Sequence, residues 1–123
     1  MSVFVGFLLI ALPSASFAQE QSLPNFDVSK QMYQSCVEYR SVRLDDGELP
    51  IDILINIARE KCRIERAILE VVISQMAKRD PKATESEVRV IEETVMERVN
   101  SENSEHISAL IRDWREIDKT TND

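Results

Sequence analysis

Beyond residue 27 the apolar residues recur at intervals of three and four, and no stretch alternates as a half-buried strand would. Met32, Tyr33, Cys36, Val37, Tyr39 and Leu44 predict a helix over 28–44, with Asn25 or Asp27 placed to cap it. Ile51, Leu54, Ile55, Ala58, Cys62, Leu69, Val72, Ile73 and Met76 predict a second over 50–79. Ile53, Ile57, Ile64, Ile68 and Val71 widen its apolar face. A helix apolar around so much of its circumference is expected to be covered on more than one side, which calls for a third helix. Thr84-Glu85-Ser86-Glu87 is a capping box that opens it. Val88, Ile91, Val95 and Val99 line its face, with Val90 and Met96 beside them. The stripe falters at Asn100-Ser101-Glu102-Asn103-Ser104, a set of poor helix formers. It resumes with Ile107, Leu110, Ile111, Trp114 and Ile117. The pattern allows either one long kinked helix or two helices broken near 100–104.

Two turns divide these elements. In Asp45-Asp46-Gly47-Glu48-Leu49-Pro50, Gly47 suits a left-handed helix end and Pro50 the first turn of a new helix. Asp80-Pro81 ends the second helix. The expected fold is all-α, an antiparallel helical hairpin extended by a third long helix into a small bundle.

The segment before the helices reads differently. Val3 to Leu12 is an unbroken apolar run, and Ser16-Phe17-Ala18 places small residues at the −3 and −1 positions of a cut before Gln19. This is the pattern of a secretory signal peptide over 1–18, although no Lys or Arg occurs before Lys30. The run is too short for a bilayer, which needs about 20 apolar residues. The expected organisation is a signal peptide at 1–18, a disordered segment at 19–26, one helical domain at 27–118 and a frayed tail at 119–123. No membrane span is expected in the mature chain, which would be periplasmic or secreted.

Export changes the reading of the cysteines. Cys36 and Cys62 are the only two, and an even count in a short exported chain points to a disulfide. Each lies roughly 12–18 Å from the turn at ~1.5 Å rise per residue, so the sulfurs of an antiparallel hairpin come level. The same pairing sets Tyr33 opposite Glu65 and Arg40 opposite Ala58. A polar link of Tyr33, Arg40 and Glu65 that holds the helix register is therefore expected.

Charge narrows the function classes. The chain has 22 Asp+Glu against 15 Lys+Arg, a formal net charge of −7, which argues against nucleic-acid binding. Its 2 glycines, Gly6 and Gly47, exclude glycine-rich phosphate cradles and dinucleotide fingerprints, and no cofactor is expected. Basic residues crowd 59–66 and glutamates crowd 85–105. Antiparallel packing about Pro81 would face Lys78 with Glu85, Arg66 with Glu97, and Arg59 with Glu102 or Glu105.

Residues capable of chemistry are few. His106 is the lone histidine; with Glu102 it falls short of a ligand set, and it reads as an exposed helix residue. Glu92, Glu93 and Glu97 lack calcium-loop spacing and read as a solvated face. Nucleophilic catalysis would require a free thiol and one histidine for every role, so no enzyme is expected. Trp114 and Ile117 are candidate partner contacts, since aromatic residues dominate interface energetics; the commoner arrangement folds such a tryptophan back into the core.

The pattern Tyr33-x-x-Cys36-Val37 followed by Ala58-x-x-x-Cys62-x-x-Glu65-Arg66-x-x-Leu69 resembles small exported bacterial two-cysteine proteins of unknown function that staple a helical hairpin. The likeness covers about the first half of the mature chain and implies fold and export. Size, helicity, acidity and a single disulfide are also similar to periplasmic acid-stress chaperones of the HdeA type. The expected function is therefore contact with a protein partner, as in small acidic immunity-like inhibitors or envelope accessory proteins, with a homodimer compatible with the wide apolar face. The alternatives are an acid-stress chaperone, in which protonation of the carboxylates loosens the packing, and a purely structural role.

Overall fold

The computed structural model describes residues 22–122, and the signal peptide expected at 1–18 lies outside them. Four helices make up the described chain: α1 (Phe26–Leu44), α2 (Ile51–Lys61), α3 (Arg63–Ala77) and α4 (Glu85–Asn122). The fold is all-α, with no strand among the described residues.

Local chemistry sets the helix ends. Asn25 caps α1, its Oδ1 accepting from the Val28 N–H at 2.9 Å. After Leu44 the Asp45 carboxylate accepts from the Gly47 N–H, and Asp46 accepts from the Glu48 and Leu49 N–H groups. Gly47 takes φ +86 inside this turn rather than at the helix end itself. The capping box forms as expected: Thr84 Oγ1 accepts from the Glu87 N–H at 3.2 Å, and Glu87 returns the bond to the Thr84 N–H at 3.0 Å. The bond from the Thr84 N–H stabilises the ionised carboxyl of Glu87 and lowers its pKa.

Three rods result. α1 runs one way, α2 and α3 run back, and α4 runs beside α1 again, packed against the other three helices. Four cross-links fix the direction of α4: Gln34 Nε2 donates to the Val99 carbonyl, the Tyr33 hydroxyl to Asn100 Oδ1, Glu38 meets His106, and Arg115 donates to Asp45. The core between the rods holds Tyr33 and Val37 of α1, Leu54, Ile55 and Ala58 of α2, Leu69 and Ile73 of α3, and Val99, Ile107 and Ile111 of α4.

The disulfide staples this core. Cys36 and Cys62 are bonded, with Cα atoms 6.0 Å apart. The expected single helix over 50–79 is interrupted at the bonded cysteine: Cys62 leaves helical geometry at φ −105, ψ 28, and its N–H reaches back only three residues to Arg59. No Pro or Gly occurs between 51 and 80, so propensity carries no sign of this break.

At 100–104 the opposite holds. α4 continues unbroken for 38 residues, about 57 Å at ~1.5 Å per residue. The poor helix formers are held by tertiary bonds: Asn100 accepts from Tyr33, and Arg59 donates to the Asn100 carbonyl and the Ser104 hydroxyl. Packing here overrides propensity. The helix also runs to Asn122, where a frayed end was expected from 119.

Two further expectations are corrected. The broad face of the middle rod is not fully covered: Leu54, Ala58, Leu69 and Ile73 are buried, while Ile53, Ile57, Ile64 and Val71 stay exposed. The facing charges do not pair as the spacing suggested. Arg66 pairs with Glu70 one turn along its own helix, and Arg59 spends its guanidinium on Asn100 and Ser104. The register was close, but α4 presents its half-buried polar positions Asn100 and Ser104 there instead of its glutamates.

Candidate functional site

The rods differ in length, and that difference creates a concavity. α1 begins at Phe26, whereas α3 continues to Ala77 and α4 starts only at Glu85. Beyond the first turn of α1, the facing apolar rows of α3 and α4 have no third helix over them among the described residues. A groove of about 650 Å³ opens there. Its apolar lining comes from Phe26, Ile73, Met76, Ala77, Ile91, Val95 and Val99. Ile73 and Val99 are buried at its base, while Met76 and Ile91 stand 41% and 43% exposed. Lys30, Arg79 and Arg98 also line it, with Asp80 and Glu102. Three cations against two carboxylates invert, locally, the sign of a chain that carries −7 overall. Lys30 holds its ammonium 5.8 Å from the centre of the Phe26 ring, which keeps that charge at the groove edge.

The size and lining match those of a binding site, a concave apolar surface with a few placed polar groups. The lining includes no thiol and no histidine.

The residues singled out from sequence are scattered. Cys36 and Cys62 lie at the hairpin core, and the Glu65 carboxylate comes within 4.8 Å of their sulfurs. With both sulfurs joined, this trio offers one carboxylate and no thiolate, so it does not make a metal site. The expected Tyr33–Arg40–Glu65 link does not form. The Tyr33 hydroxyl donates to Asn100 at 2.7 Å, Glu65 is half-buried at the disulfide, and Arg40 is exposed. Tyr33 looks toward α4 because the third rod covers that side of the hairpin, which a pairing of two helices could not include. Burial raises the Tyr33 phenol pKa above its ordinary value, outweighing the opposing pull of Arg59 and Arg66.

His106 Nε2 sits 2.7 Å from Glu38 Oε1 in an exposed pair that bridges α4 to α1. A second clasp closes the bundle end: Arg115 donates Nε and Nη2 to Asp45 Oδ1 at 3.1 and 2.6 Å, and Nη2 also to the Leu49 carbonyl. Burial pushes the Asp45 carboxyl up, but the bonds from Arg115 and the Gly47 N–H together outweigh it, and the pKa lies below the ordinary carboxylate value. The bond to Asp45 raises Arg115 in turn.

Trp114 does not fold back into the core. It is 62% exposed, and Ile117 is 56% exposed. The buried positions of α4 step by fours through Val99, Asn103, Ile107 and Ile111, and then Arg115 turns to its clasp on Asp45. An α-helix needs 3.6 residues per turn, so a row stepping by fours winds around the helix and leaves Leu110, Trp114 and Ile117 outside.

The groove residues Phe26, Lys30, Arg79 and Arg98 were not singled out from sequence. One signal was present. The same cysteine pairing sets Phe26 opposite Val72, so the rest of the second helix lacks an α1 partner. No known protein family, curated protein or solved structure matches the chain.

Proposed function

We propose that the protein is a non-catalytic binding protein that receives an amphipathic helix of a partner protein in the α3–α4 groove. The observation that carries this reading is the groove itself: about 650 Å³, apolar, and open where α1 stops short of the hairpin beneath it. The space continues the line of a packed helix, so a helix is the occupant whose shape completes the bundle. The three cations lining it favour acidic residues beside the partner's apolar row. The disulfide favours an oxidising compartment, and no described helix is long and apolar enough to cross a membrane. The disulfide supports a periplasmic or secreted protein that acts by contact, as immunity-like inhibitors and envelope accessory proteins do.

Titration of isotope-labelled protein with a synthetic helix bearing leucines at i, i+4 and i+7 flanked by glutamates tests this. Amide shifts are expected to centre on Ile73, Met76, Ala77, Ile91 and Val95, and the same peptide with lysine for glutamate should bind more weakly. Absence of shifts at these amides would refute the reading, as would equal binding of the two peptides.

A further inference from the structure

We infer that two copies of this chain pair with their α4 helices antiparallel, each laying its exposed Leu110, Trp114 and Ile117 row into the α3–α4 groove of the other. The inference rests on the groove being a helix-binding site and names a helix that fits it.

The row has the form such a groove takes. Leu110, Trp114 and Ile117 stand at i, i+4 and i+7 on one face of α4, all exposed. Asp113 and Glu116 run along one flank of that face, and both are exposed. Laid in the groove, this acidic flank meets Lys30, Arg79 and Arg98. Trp114 supplies the large aromatic anchor that dominates interface energetics. Without this complementarity, two copies at −7 each would repel.

The chain cannot satisfy its own groove with its own row. Val95 lines the groove and Trp114 lies 19 residues further along the same continuous helix, roughly 28 Å away at ~1.5 Å per residue. A Leu110, Trp114 and Ile117 row that fills this groove therefore has to come from a second copy. In an antiparallel arrangement the exchange is mutual, which closes a two-fold dimer and leaves neither row nor groove open. A partner helix of the kind proposed above then competes with the second copy for the same groove.

Trp114 is the sole tryptophan, so its fluorescence reports this contact alone. Sedimentation equilibrium and tryptophan emission are measured together over a concentration series of the full mature chain. A monomer–dimer equilibrium is expected, with emission shifting to the blue as dimer forms. Ile91→Glu in the groove and Ile117→Ser in the row should each weaken dimerisation by tenfold or more, with the far-UV spectrum unchanged because both residues are exposed. Arg98→Glu should weaken it too, and combining Arg98→Glu with Asp113→Arg should restore part of the loss. A chain that stays monomeric throughout overturns the inference, as does a dimer whose tryptophan emission remains that of an exposed indole. If such a monomer still shows groove shifts with the acidic peptide, self-pairing falls and the binding reading stands. If neither the peptide nor a second copy engages the groove, both fall.

Discussion

Replacing Cys36 and Cys62 together by alanine should lower the unfolding free energy by about 3.5 kcal/mol. The cysteines are 26 residues apart. Closing a loop of that length removes roughly 12 cal/mol/K from the unfolded chain, which is about 3.5 kcal/mol at room temperature. A small domain holds only about 5–15 kcal/mol in all, so the loss is a large share of its stability. In thermal unfolding it corresponds to a fall on the order of 15–25 °C. Alanine is the right replacement because Cys62 is fully buried, and a serine hydroxyl there would add the cost of an unsatisfied polar group. Urea unfolding followed by far-UV circular dichroism measures the difference. The dependence on urea should also steepen in the variant, since an uncrosslinked unfolded chain exposes more surface. A loss below about 1 kcal/mol with an unchanged slope would refute the reasoning that the staple acts on the unfolded chain.

Three further outcomes follow from the packing. Ile107→Ala empties a fully buried position at the centre of the core and should cost about 3–4 kcal/mol in the same urea assay. Tyr33→Phe removes the bond to Asn100 and should cost about 1 kcal/mol. In an absorbance titration it should also abolish the tyrosine step that lies above the ordinary phenol value, because burial raises the Tyr33 pKa. Asp45 has a lowered pKa in the folded state, so its contribution is present above the ordinary carboxylate value near ~3.9 and is lost as pH falls through the lower folded value. The stability gap between wild type and Asp45→Asn should therefore close in acid unfolding below about pH 4, and a gap that stays constant through that range would contradict the clasp.

The amino-acid pattern alone determined the helical class, the capping box at Thr84 and Glu87, the turn at Gly47 and the bonding of Cys36 to Cys62. All four rest on local signals: a helical period, side chains that reach the nearest backbone N–H, a glycine free to take positive φ, and two cysteines level about one turn. Tertiary packing decided the rest. Residues 100–104 stay helical with Asn100 and Ser104 bonded by Tyr33 and Arg59, which are distant in sequence. The middle rod breaks at Cys62, where neither Pro nor Gly announces it. Tyr33 turns from Glu65 to Asn100 because a third rod lies on that side. The outward row at Trp114 and the groove at Met76 and Ile91 arise from how far each helix runs and how the buried row of α4 winds. Such features depend on the relative placement of whole helices, and a pattern read along one chain carries only each helix's own face.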